Sequence, residues 1–121
     1  MEVGIDIIDV NRFKNLVENQ EFLNKHFSNY EINYIKSKGV NSVHTIAGLF
    51  ACKEAILKAF GTGISKELSL LDCCIVHLDN GKPVVELNDK ILILMNKLNL
   101  TQIKVSISHT SSNAIAICNL L

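Results

Sequence analysis

What this 121-residue chain lacks narrows its class first. It has no net charge, since 12 Lys and Arg balance 12 Asp and Glu. No global field therefore steers it toward nucleic acid or an acidic membrane surface, and any anion site must be local. Its four cysteines, Cys52, Cys73, Cys74 and Cys118, form no CxxC, so neither a zinc site nor a disulfide framework is suggested. They read as small core residues in a reducing compartment. No apolar run approaches the roughly 20 residues of a membrane span. The opening "MEVGIDIIDV" carries an acidic residue at position 2 and is not a signal peptide. There is no repeat, low-complexity segment or linker. What is present is 48% hydrophobic residues, enough for a core without disulfides, in a length that suits one domain. The expectation is a single domain spanning residues 1–121, located in the cytoplasm.

Along the chain, helical and extended patterns mix. "VGIDIIDV" is a β-branched run that predicts a strand ending near Asp9, after which Asn11 is placed to cap a short helix with Arg12 and Phe13 in its first turn. Asp9 reads as a helix cap in preference to an acid that supports the site from behind. "SNYEINYIKSKG" predicts a helix opened by Ser28, with Glu31 completing a capping box, and closed by Gly39. A long helix runs from about Val43 to Phe60 and is stopped by "GTG". Residues 68–78, apolar apart from Ser69, Asp72 and His77, read as one strand. "DNGKP" is a turn and "VVEL" the returning strand of a hairpin. Asp89 caps a helix of about Lys90–Leu98. "QIKVSISH" alternates with period 2, and "NAIAICNLL" reads as a last strand buried on both faces. The fold class is α+β: one long buried helix against a mostly antiparallel sheet.

The long helix poses a chemical question. "FACKEAILKAFGTG" is apolar almost all the way round, yet it holds Lys53, Glu54 and Lys58. Glu54 and Lys58 lie about 40° apart on the helical wheel, one turn apart along the axis. They fit an i,i+4 surface ion pair, but their flanks leave little face for solvent, and a carboxylate there needs a cation, a metal or both. Asp6 is a second lone carboxylate, set in "VGIDII" where β propensity disfavours it; a turn at a strand edge is its plainer reading. Mg²⁺ wants oxygen ligands and usually takes one or two protein carboxylates, with waters and substrate phosphates filling its shell. One Asp and one Glu from two elements fit that requirement. In "VSISHTSS", His109 and the hydroxyls of Ser108, Thr110, Ser111 and Ser112 at a strand end suit a phosphate, or else a polar turn. His26, His44 and His77 have no ligand-spaced partners and read as structural or solvated.

Together these stretches resemble the holo-acyl-carrier-protein synthase family, the small class of 4′-phosphopantetheinyl transferases, in order and over nearly the whole chain. "GIDIIDVNR" is similar to the family's GxDIxxxxR and "FACKEAILKAFGTG" to its FxxKEAxxKAxGTG, the most specific element. "NGKP" and "VSISH" resemble its hairpin turn and final signature. The resemblance implies transfer of the 4′-phosphopantetheine arm of coenzyme A to a serine of an apo acyl carrier protein, leaving adenosine 3′,5′-bisphosphate, in support of fatty acid biosynthesis. It implies that Asp6 and Glu54 hold Mg²⁺ against the pyrophosphate and that Lys58 neutralises phosphoryl or leaving-group charge. Glu54 would help to deprotonate the serine. His109, with Ser108 and Lys82, would contact the 3′-phosphate and adenosine end of coenzyme A. Arg12 would face the carrier protein or a phosphate.

The family also implies a homotrimer with sites between neighbours, and two apolar terminal strands give a reason to expect one here. Asp6, Glu54 and Lys58 would come from one protomer and His109 from the next. Two departures from the family pattern bear on the choice of carrier rather than on the reaction: Leu49 stands where many members have the Arg of GRFAxKEA, and Asn113 where many have Tyr or Phe. The rival reading is a non-catalytic module that binds coenzyme A or another nucleotide; it would keep His109 but would not need Asp6 and Glu54 together.

Overall fold

A computed structural model describes residues 1–62 and 67–121. Its centre is the helix α3, Ser42–Phe60, whose long apolar run buries residues on most of its circumference. Strand β1 (Glu2–Asp9), β5 (Asn113–Leu120) and β4 (Ile103–His109) form an antiparallel sheet in the order β1-β5-β4. Helix α3 packs on all three strands. Gly4 of β1 is what allows the close fit. A Cβ there would lie 2.0 Å from the Ala55 carbonyl oxygen and 2.5 Å from the Ala59 nitrogen, so only glycine lets strand and helix backbones approach this far.

The smaller elements surround this core. Helix α1 (Gln20–His26) and α2 (Asn29–Lys36) precede α3, and α4 (Asp89–Lys97) precedes β4; strands β2 (Ile75–His77) and β3 (Pro83–Val85) form the expected hairpin. Ser28 and Glu31 do form a capping box on α2. Helix α3 ends at Gly61, left-handed at φ 75°, as a C-terminal glycine should; Gly63 lies outside the described residues. Cys52, Cys73 and Cys118 are buried small residues, and burial pushes the thiols of Cys73 and Cys118 up to about 12. Among the described residues no helix is long and apolar enough to cross a membrane.

Several expectations are corrected. Residues 68–78 are not one strand: only Ile75–His77 is extended. The carbonyls of Leu70 and Cys73 turn inward to accept hydrogen bonds from the Lys53 ammonium, at 3.0 and 2.8 Å, instead of pairing with a strand. Helix α4 is capped by Asn88, whose side chain accepts from the Ile91 N–H, and Asp89 is its first residue. Asn11 lies inside a 3-10 turn, Val10–Phe13, and Asp9 occupies the cap position without a side-chain cap bond. Helix α2 stops at Lys36, with Ser37 rather than Gly39 at its end. In β5 burial alternates. Ala114, Ala116 and Cys118 are buried, whereas Ile115 and Ile117 are more than a third exposed within the single chain.

Candidate active site

The alternation of β1 sets the first half of the site. Gly4, Asp6 and Ile8 face α3, and Val3, Ile5 and Ile7 face away. Asp6 therefore points at the flank of α3 that carries Glu54 and Lys58. The Lys58 ammonium donates to Asp6 Oδ1 at 2.9 Å and to the Ile5 carbonyl at 3.1 Å. Its own side chain is 54% exposed, that of Asp6 only 16%. Glu54, one turn earlier, is half-buried. Its carboxyl is harder to ionise than an ordinary glutamate, first because burial strips water from it and then because Asp6 repels its charge; Lys58 and Arg12 pull the other way. Arg12 is itself held by aromatic faces, its guanidinium carbon 5.2 Å from the Phe50 ring centre and 5.5 Å from that of Phe13. The structure thus brings Asp6, Glu54, Lys58 and Arg12 together.

Lys53, the third charge of the helix, belongs elsewhere. It is fully buried, 2.7 Å from Glu31 Oε1, with the Leu70 and Cys73 carbonyls as further acceptors. Glu31 also accepts from the Ser28 and Ile75 N–H groups, both at 2.9 Å. Every polar atom of the pair is satisfied, so this is a structural tie and no part of the site.

His109 is placed on the other flank of α3. It shares a cleft of about 270 Å³ with His44, Thr45, Leu49, Gly81 and Pro83, among others. Leu49 and Glu54 are five residues apart, about 140° round the helix, so cleft and carboxylates face different ways. Across the sheet they sit at opposite edges, β4 and β1, two strand spacings or about 10 Å apart. The rings of His109 and His44 are 5.2 Å apart, and His44 Nε2 is 3.1 Å from the Ser111 carbonyl. His44 therefore joins the cleft rather than serving only as a structural or solvated residue. His77, which also lines this cleft, stacks on Tyr34 at 3.8 Å, and the His26 ring lies tilted against Phe22 at 4.8 Å, away from the cleft.

Lys82 lies in the β2–β3 turn, where its N–H donates to Asn80 Oδ1. Ser108, by strand alternation, faces the opposite side of β4 from His109, beside Ser106, Ile115 and Ile117. Leu49 is a buried core residue, so no cation stands at that position. Asn113 donates through Nδ2 to Asp9 Oδ1 at 3.1 Å and braces the β4–β5 turn. Gly4 and His44 are the residues that sequence reasoning missed. The glycine of "VGID" was the available signal for close backbone approach, whereas nothing local to His44 marks its neighbour 65 residues on.

Residues 2–118 match the model of the 4′-phosphopantetheinyl transferase superfamily. The chain belongs to this family. It is 41% identical over 120 residues to the holo-[acyl-carrier-protein] synthase of Fusobacterium nucleatum, covering 98% of this chain and 97% of the relative. The fold is similar to that of the Helicobacter pylori holo-[acyl-carrier-protein] synthase in complex with coenzyme A. The TM-score is 0.84, with 36% identity over 98% of this chain and 99% of the other. The Bacillus anthracis holo-(acyl-carrier-protein) synthase in complex with CoA (3′,5′-ADP) gives a TM-score of 0.81, 35% identity, and 98% and 94% coverage. The α+β class and the long central helix are those of the family.

The donor set suits a hard divalent cation. Asp6 and Glu54 are carboxylates from two elements, close enough for one to oppose the ionisation of the other, and a cation between them would relieve that repulsion. Among the described residues no group of three or more His, Cys, Asp or Glu gathers as a metal cage. A transferase that leaves most of the metal shell to water and substrate phosphates needs no third protein ligand.

Proposed function

We propose that this chain transfers the 4′-phosphopantetheine arm of coenzyme A to a serine of an apo acyl carrier protein, the reaction of the holo-[acyl-carrier-protein] synthases it resembles along its whole length. The observation that carries the reading is the convergence of Asp6, Glu54 and Lys58 on one flank of α3. In the reaction the serine oxygen attacks the phosphorus bonded to the pantetheine arm. A new phosphodiester forms, the pyrophosphate P–O bond breaks, and adenosine 3′,5′-bisphosphate departs. Asp6 and Glu54 are the residues that would hold Mg²⁺, which when bound supplies charge neutralisation and orientation for the pyrophosphate. Glu54 would receive the serine proton, directly or through a water, and Lys58 would stabilise charge on the phosphates. Arg12, fixed on its aromatic shelf, presents a guanidinium to a phosphate or to the acidic surface of a carrier.

His109, with Lys82, would read the 3′-phosphate and adenosine end, and Ser108, whose side chain faces the other side of β4, would contribute only through its backbone. Pyrophosphate and 3′-phosphate belong to one nucleotide, yet within one chain α3 separates His109 from the carboxylates. A neighbouring protomer that brings its β4 edge to the β1 edge of the first would complete the site. The reading therefore includes a homotrimer, its interface drawing on the exposed apolar sheet face of Val3, Ile5, Ile7, Ile115 and Ile117. A non-catalytic module that binds coenzyme A is disfavoured, because it gives the paired carboxylates nothing to do. The deciding experiment incubates the protein with coenzyme A, Mg²⁺ and an apo carrier protein. A mass increase on the carrier equal to the phosphopantetheine arm is expected; an unmodified carrier would reject the reading.

A further inference from the structure

We propose that Lys58 is a resident counter-ion of Asp6, surrendered to a substrate phosphate when metal enters, so that metal and coenzyme A bind cooperatively through this one side chain. The inference rests on Asp6 and Glu54 being the metal site. Lys58 does more than approach the carboxylates. Its ammonium is 2.9 Å from Asp6 Oδ1 and also bonded to the Ile5 carbonyl, so it lies directly against a ligand oxygen that a divalent cation needs.

The Lys58 stem is long, flexible and more than half exposed, so the head group can swing from carboxylate to phosphate at small cost. In the substrate-free chain ammonium and metal compete for Asp6. When coenzyme A supplies phosphate oxygens, the ammonium gains a better partner and the carboxylate is released. Each ligand then favours the other, and linkage requires the effect to be reciprocal. Arg12 does not do this, because its guanidinium rests on the Phe13 and Phe50 rings.

The test is Mn²⁺ binding by the full chain, read by electron paramagnetic resonance with and without saturating coenzyme A and with no carrier protein, so that nothing turns over. Lys58→Met should bind Mn²⁺ roughly three- to fivefold more tightly than the parent without coenzyme A, the size expected for removal of a half-exposed ion pair. Coenzyme A should then tighten Mn²⁺ binding less in the variant than in the parent. Unchanged Mn²⁺ affinity, or an equal gain in Arg12→Met, would show that contact with Asp6 is immaterial and overturn the inference. Loss of Mn²⁺ binding in Asp6→Asn and Glu54→Gln confirms the metal site independently. If those variants bind like the parent, the metal assignment itself fails, and the exchange with it.

Discussion

Glu54 holds its proton more tightly in the fold than in the unfolded chain, because burial and Asp6 raise its pKa. The sign follows by linkage. The raised value favours folding most below the ordinary glutamate range, and the fold is penalised as pH rises through the raised value. Metal-free Glu54→Gln should therefore melt above the parent at neutral pH, with the advantage fading as pH falls toward 4; thermal melts in chelator would show it. The same variant, and Asp6→Asn, should lower transfer about 100-fold or more, since each removes a carboxylate that would hold Mg²⁺ against the phosphates. Carrier mass spectrometry at saturating Mg²⁺ measures this, and near-parental turnover in either would reject the two-carboxylate site. Both residues were legible in the sequence as carboxylates stranded in apolar runs. Lys53 gave the same local signal and means something else. Its partner Glu31 is 22 positions away and was already accounted for by the capping box, so one carboxylate with two roles hid the buried pair. Which flank of α3 His109 occupies depends on strand order, and no local pattern encodes that.

Between elements, two contacts set the geometry of the site. Gly4→Ala would drive a methyl into the Ala55 carbonyl and the Ala59 nitrogen. Backbone cannot give way as a flexible side chain can, so β1 and α3 must separate, at about 1–3 kcal/mol or more. That movement also parts Asp6 from Lys58, so transfer should fall even at temperatures where the variant is fully folded, a combination that melts and assays together can check. The second contact is the Lys53–Glu31 tie, which fastens α2, α3 and the segment entering β2. Lys53→Met leaves a buried carboxylate without its cation and should cost about 3–5 kcal/mol. The double variant Lys53→Met/Glu31→Gln should be more stable than that single variant, as denaturant unfolding would reveal. At this scale the sequence is legible where the signal is local: the Ser28–Glu31 box, the β2–β3 hairpin and the end of α3 at Gly61. Residues 68–78 are not legible in this way. There, apolar composition suggested a strand, but the carbonyls were committed to a buried ammonium contributed by another helix.

Across the whole molecule, the unpaired face of the sheet is the feature that the proposed trimer explains. Ile5, Ile7 and Ile117 are more than a third exposed in the single chain. The composition of β5 suggests burial on both faces, but within the chain only the face toward α3 is covered, although β5 is the central strand. Ile117→Lys should weaken assembly and transfer together while the monomer stays folded, as sedimentation and circular dichroism would show. Complementation tests the shared site directly. Glu54→Gln and His109→Ala subunits, refolded as an equal mixture, should recover roughly a quarter of parental sites; no recovery despite demonstrated mixing would place each site within one chain. The sheet's connectivity also has a consequence for folding. Among the described residues strand β1 pairs with β5 alone, from Glu2 opposite Leu120 to Asp9 opposite Asn113, so more than a hundred residues separate the partners. Asp6 lies opposite Ala116, so its strand has no partner until residues 113–120 are in place. Closing this ladder, and with it fixing Asp6 against α3, is therefore a contact of very large sequence separation, the kind whose loop-closure entropy slows folding.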